Sequence, residues 1–181
     1  LLLDSVACLD ALQSIPENWK AVQIPSYLLQ SVKSRLSEGR GEGESQGELG
    51  SEWGTVVHQL LELSVKNPNL PIHPVAESLL EEHDLPLELL PEILHTVELV
   101  KSSDLWNRAI RSEQYFSEMS FQVLEQESQE PVPVLLRGVI DLVFKGKDGW
   151  VIVDYKTDAA AKTNPAKLIE KYRLQLEIYA R

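Results

Sequence analysis

The stretch Leu136-Arg-Gly-Val-Ile-Asp-Leu-Val-Phe-Lys-Gly-Lys-Asp-Gly-Trp-Val-Ile-Val-Asp-Tyr-Lys156 decides the fold. Two apolar runs flank Lys145–Gly149, a segment of Lys, Gly and Asp that has nothing to bury and turns readily. Apolar runs of this length bounded by turn residues read as β-strands, here Val134–Phe144 and Trp150–Lys156, joined as an antiparallel hairpin. With the turn centred between Lys147 and Asp148, Asp141 stands directly across from Asp154. Directly opposed residues have Cβ atoms roughly 4.5–5.5 Å apart. Two carboxylates at that range repel, and a divalent cation between them offsets the cost. Oxygen ligands of this kind suit Mg²⁺ or Mn²⁺. Lys156 lies two residues beyond Asp154 and so shares its strand face. An ammonium there can stabilise negative charge developing on a phosphate. Gly138 is expected to admit an approaching backbone, and the apolar run before Asp154 reads as a central strand covered on both faces. An Asp-x-Lys in a strand is by itself a weak signal, since its ordinary reading is a solvated ion pair. The opposed Asp141 is what gives it weight.

Upstream of the hairpin, Tyr115, Met119, Phe121 and Val123 alternate with Glu118, Ser120 and Gln122, which predicts a half-buried strand. Before it the period is helical. Val56, Val57, Leu60 and Leu61 form one apolar stripe, with His58 and Glu62 one turn apart on a neighbouring face. Further helices are predicted over Pro74–His83, Pro91–Ser102, Asp104–Arg111 (with Asp104 as cap) and Pro165–Arg181. Residues 1–20 and Ile24–Leu36 also carry helical patterns. Glu38–Glu52 holds five Gly and five Glu, which cannot build a core and predicts a mobile linker. The expected organisation is a helical lead-in over 1–37, a linker over 38–53 and an α/β (α+β) core over 54–181, with a small mixed sheet flanked by helices. The chain has no initiator Met, and a helical pattern still runs at Arg181. It therefore reads as a piece of a longer protein whose core is truncated at its C-terminus.

Of the 181 residues 43% are hydrophobic, enough for one compact core. No stretch approaches the ~20 apolar residues that cross a bilayer, and the N-terminus lacks the basic start of a signal peptide. The single cysteine, Cys8, excludes a disulfide framework within the chain and a Cys-ligated zinc or iron–sulfur site. It fits a reducing, cytoplasmic setting. The net charge of −11 argues against a uniformly nucleic-acid-binding surface, yet residues 136–181 hold nine Lys or Arg against six acids. No phosphate-binding Gly-xxxx-Gly-Lys-Ser/Thr loop occurs, so no ATP site is expected.

Five ordered segments carry a resemblance. They are Gly54-Thr-Val-Val-His58, Glu118-Met-Ser-Phe121, Leu136–Phe144, Val151-Ile-Val-Asp-Tyr-Lys-Thr-Asp158 and Gln175-Leu-Glu-Ile-Tyr179. Together they resemble the nuclease domain of RecB- and AddA-type helicase–nucleases, which belongs to the PD-(D/E)xK class and has a restriction-endonuclease-like core. The resemblance implies a Mg²⁺- or Mn²⁺-dependent exonuclease acting on DNA in double-strand break repair and recombination. It further implies a single strand fed by the helicase domain of the same parent chain, and partnership with a second helicase–nuclease subunit. By the same resemblance His58, Asp141, Asp154 and the Tyr155 carbonyl are metal ligands, and Lys156 is the catalytic lysine. Gln175 and Tyr179 support the lysine or the DNA backbone, and Glu118 is a further site acid. The bland readings are a packed helix-face histidine, a local i,i+4 pair and a solvated strand edge. Two rivals stand beside the enzyme: an inactive nuclease-like scaffold that binds DNA or protein, and an unrelated metal-binding α/β domain. The second requires the helix of His58 to lie far from the hairpin.

Overall fold

The computed structural model describes residues 25–38, 50–125, 130–157 and 165–180. The expected helix over 1–20 and most of the Gly/Glu-rich linker lie outside them. The described elements are β1 (Leu28–Ser31), α1 (Val32–Glu38), α2 (Gly50–Lys66), α3 (Ile72–Glu82), a 3₁₀ turn (Leu87–Leu89), α4 (Leu90–Lys101), α5 (Asp104–Ile110), β2 (Tyr115–Glu125), β3 (Val134–Lys145), β4 (Trp150–Val153) and α6 (Pro165–Tyr179). A small mixed sheet with helices was expected, and the described residues form one.

The chain divides into two compact units. The described part of the first comprises residues 25–31, 122–125 and 130–137. There β1 runs parallel to the start of β3, from Leu28 opposite Val134 to Ser31 opposite Arg137. The Leu28 amide donates to the Pro133 carbonyl at 2.9 Å. This strand corrects the helix expected over Ile24–Leu36, which begins only at Val32. Residues 28–31 satisfy their backbone against β3, and such pairing overrides a short helical periodicity. Val123, expected to face inward, is 51% exposed.

The second unit comprises residues 32–121 and 138–181. Its core is built from α2 outward. Val56, Val57, Leu60 and Leu61 are at most 1% exposed, as their helical spacing predicts. They pack with Ala76 and Leu80 of α3, Ile93 and Val97 of α4, Trp106 and Ala109 of α5, and Leu142 and Phe144 of β3. Helix α2 starts at Gly50, so residues 50–53 are helical and not linker. Pro91 sits in the first turn of α4, where its missing N–H costs nothing. The cap of α5 is Ser103, one residue before the expected Asp104; its Oγ accepts the Trp106 amide at 3.2 Å.

Strand β3 is hydrogen-bonded to β1, β2 and β4, which makes it the central strand. The antiparallel ladder with β4 runs from Lys145 opposite Trp150 to Leu142 opposite Val153. That is the expected register, and it leaves Asp141 and Asp154 as the next residues along each chain. Two expectations need correction. Strand β4 ends at Val153, not Lys156, and it is half-buried rather than covered on both faces, with Trp150 51% exposed. Gly138 admits a side chain and not a backbone: a Cβ there would lie 2.6 Å from the Phe121 ring and 3.1 Å from Val32.

Leu60 is wholly buried and Leu99 of α4 is 58% exposed, though both fall on helical apolar patterns. Leu60→Ala should therefore lower unfolding free energy by about 2–5 kcal/mol. Leu99→Ala should move it by no more than about 0.5 kcal/mol. Urea titration followed by circular dichroism reads both, and equal losses would contradict this core.

Candidate active site

The site is assembled at the end of the β3–β4 ladder, within the second unit. The Asp141 carboxylate is its junction. One oxygen, Oδ1, lies 3.6 Å from His58 Nδ1 on α2. The other, Oδ2, accepts the Tyr155 backbone N–H at 2.6 Å. The carboxylate thus ties the segment leaving β4 to β3 at the point where the regular ladder has ended. The Tyr155 ring packs edge-on against the His58 ring, centroids 5.7 Å apart.

Helix α2 comes this close because of Gly54, one turn before His58. A Cβ at Gly54 would stand 2.7 Å from Thr157 Oγ1. The Gly-xxx-His spacing therefore has a steric reason: the glycine lets the helix lie against Thr157, and the histidine one turn on reaches Asp141. This placement excludes the rival in which that helix is remote from the hairpin.

Glu118 of β2 completes a donor group. Among the described residues, ligand atoms of His58, Glu118 and Asp141 all come within 4.8 Å of one another. Glu118 has φ +49°, a left-handed conformation uncommon for a residue with a Cβ. Strain of this kind persists where the surroundings impose it and tends to gather at functional sites. Partial burial, then the charges of Asp141 and Glu62, raise the Glu118 pKa above its ordinary value. At His58 burial works to lower the pKa, but the Asp141 carboxylate outweighs it and the net shift is upward. Two close carboxylates and an imidazole that attracts a proton form a place where positive charge is favoured. One nitrogen and two carboxylate donors suit a divalent cation.

Asp154 is not in that donor group. Its Oδ1 accepts from Gln175 Nε2 at 2.8 Å, and its Oδ2 is ion-paired with Lys156 Nζ. Its side chain is only 6% exposed. Burial raises its pKa, the Lys156 ammonium opposes that shift, and the Asp141 charge adds to it. Asp141 and Asp154 therefore sense each other across the end of the hairpin, with different partners.

Helix α6 supplies the other wall. Gln175 donates both to Asp154 and to the Tyr179 hydroxyl, each at 2.8 Å. Tyr179 meets Phe121 edge-on at 5.6 Å, and Phe121 occupies the space left open at Gly138. Burial raises the Tyr179 pKa. Lys156 Nζ lies over the ring of Tyr172 at 4.7 Å. Tyr172 is the site residue the sequence reading missed. Its signal was its place three residues before Gln175, on the same helical face. His73 faces Glu77 at 3.7 Å and His83 bonds Gln59 at 3.1 Å, and neither belongs to the donor group.

Known proteins share much of this sequence. The chain is 28% identical over 176 residues to an ATP-dependent helicase/nuclease subunit (AddA) from Acetivibrio thermocellus, covering 88% of this chain and 13% of that protein. A protein of the same name from Clostridium novyi is 26% identical over 150 residues, covering 73% of this chain and 12% of its own length. That from Desulforudis audaxviator is 48% identical over 48 residues, 26% of this chain and 4% of its own. The chain thus spans about an eighth of the length of the relatives it matches most fully. The family model of the PD-(D/E)XK nuclease superfamily matches residues 26–181, which include every residue of the site. An acid on β3 just beyond its ladder with β4, an Asp-x-Lys directly after β4 and a continuous match over residues 26–181 establish that the chain belongs to the PD-(D/E)XK nuclease superfamily.

Proposed function

We propose that this chain is the divalent-metal-dependent deoxyribonuclease domain of an ATP-dependent helicase–nuclease, hydrolysing phosphodiester bonds during double-strand break repair and recombination. The observation that carries the reading is the convergence of His58, Glu118 and Asp141 beside the Asp154–Lys156–Gln175 cluster. His58, Glu118 and Asp141 would hold the cation, joined by Asp154 and the Tyr155 carbonyl. When bound, Mg²⁺ or Mn²⁺ supplies Lewis acidity at the scissile phosphate and makes water a better nucleophile. Lys156 is the group that meets the phosphate: its ammonium stabilises charge on the non-bridging oxygens as the transition state forms. Asp154 and the Tyr172 ring hold that ammonium in place, and Gln175 holds Asp154. Gln175 through Asp154 and Tyr179 through Phe121 hold α6 beside the site, where the pair would border the path of the DNA backbone.

The names of the relatives support a reading of substrate and partners. We infer a DNA strand delivered by the helicase part of the same parent protein, partnership with a second helicase–nuclease subunit, and a cytoplasmic setting. No helix among the described residues is long and apolar enough to cross a membrane. A chain of net charge −11 is a poor capturer of DNA by itself, which fits a domain that receives its strand from a motor.

Lys156→Ala and Asp141→Ala should each slow Mg²⁺-dependent cleavage of linear DNA by at least about a hundredfold, with native circular dichroism retained. Wild-type rates in both variants would refute the nuclease assignment. In calorimetric titration with Mn²⁺, the wild-type chain should show a binding site that Asp141→Asn and Glu118→Gln each weaken by more than about tenfold. A chain in which neither substitution changes the heat of Mn²⁺ binding would instead be a nuclease-like scaffold without the metal centre.

A further inference from the structure

Beyond the catalytic cluster, the same three strands present a second group of side chains. Phe116 on β2 is 50% exposed and Trp150 on β4 is 51% exposed. Their rings meet at a centroid distance of 6.2 Å, tilted by 40°. Lys145 on β3, opposite Trp150 in the ladder, places its Nζ 5.2 Å over the Trp150 ring. Two large aromatic surfaces in water, with a lysine drawn over one of them, are not part of the core. Exposed Trp and Phe side chains of this size ordinarily gain by being covered.

The patch is held rigid. The Lys145 amide donates to the Gln114 carbonyl at 2.8 Å, and the Ser112 hydroxyl donates to the Lys145 carbonyl at 2.8 Å. The turn beyond it is closed by the Gly146 amide on the Gly149 carbonyl at 2.8 Å, and Gly149 takes φ +147°, which suits glycine. That turn carries exposed Lys147, with Asp148 as its one acid. The placement is also ordered relative to the site. Phe116 is two residues from Glu118, Lys145 four from Asp141, and Trp150 four from Asp154. Four residues of extended strand span roughly 13 Å. The group lies short of the site on all three strands at once.

We infer that Phe116, Trp150 and Lys145 form a stacking platform for bases of single-stranded DNA, seating the strand that the site cuts. The inference rests on the nuclease reading for its choice of occupant. Aromatic faces beside a cation are the features that hold unpaired bases irrespective of sequence. A duplex keeps its bases stacked internally and offers them no face. Lys145 and Lys147 give the patch a cationic edge in a chain whose net charge is otherwise strongly negative. A phosphate backbone complements that edge, whereas an acidic partner helix would leave the ring faces without stacked partners.

The test measures equilibrium binding of the 181-residue chain to a fluorescein-labelled oligothymidylate by anisotropy, in EDTA so that no cleavage occurs. A strand of equal length and charge made of abasic sites serves as the comparison. Trp150→Ala and Phe116→Ala should each weaken binding of the oligothymidylate by roughly 5- to 150-fold. Both should bind the abasic strand as the wild type does, and Trp150→Phe should retain most of the affinity. Unchanged oligothymidylate binding in both alanine variants would overturn the inference and leave the patch to a protein partner. Equal losses on both strands would also overturn it, by placing the effect in charge or folding rather than stacking. The nuclease reading is judged separately, by cleavage in Mg²⁺. Trp150-dependent binding by a chain that never cuts DNA would support the platform and sink the nuclease, and a chain that cuts DNA but binds without Trp150 would do the reverse.

Discussion

The Asp141 carboxylate is the constraint on which the site depends. Its two oxygens engage two different elements, His58 on α2 through a 3.6 Å ion pair and the Tyr155 amide through a 2.6 Å hydrogen bond. A carboxylate has acceptor sites for several donors, and the backbone ladder of β3 uses none of them. Here that capacity joins a helix to the exit of a neighbouring strand. It also sets the local electrostatics, because the same negative charge raises the affinity of His58 for a proton and opposes ionisation of Glu118 and Asp154. Acids this close are costly for a protein to hold in the absence of positive charge.

Two missing side chains make the arrangement possible. Gly54 lets α2 close on Thr157, and Gly138 gives the Phe121 ring a place over β3, against which Tyr179 then rests. Each motif glycine is therefore a contact between elements, not a flexible point in the chain. The polar relay from Tyr179 through Gln175 and Asp154 to Lys156 follows from the same closure. Buried polar groups are tolerated when each has a partner, and this relay supplies one at every step.

Much of this was legible in residue order. The antiparallel register of β3 and β4 followed from where the turn residues lie, since a turn centred between Lys147 and Asp148 sets every pair along the ladder. The buried face of α2 followed from helical spacing, and the ordered motifs pointed to the residues that meet around Asp141. Other features depend on distant partners. Residues 28–31 become a strand because β3 is there to pair with them. Strand β4 stops at Val153, and the amide of Tyr155 two residues on is taken by Asp141. Tyr172 enters the site because Lys156 reaches its ring, and Glu118 enters through a left-handed backbone that alternation alone predicts as an ordinary outward position.

By itself, then, the sequence determined the periodicities, the hairpin register and the family. Those properties are local or additive along the chain, so order and spacing are sufficient to state them. Only the tertiary structure decided which donors meet. It grouped Glu118 with His58 and Asp141, and it gave Asp154 to Gln175 and Lys156. Which carboxylates converge depends on how a helix and three strands pack in space, and distances between elements are not encoded by position in the chain.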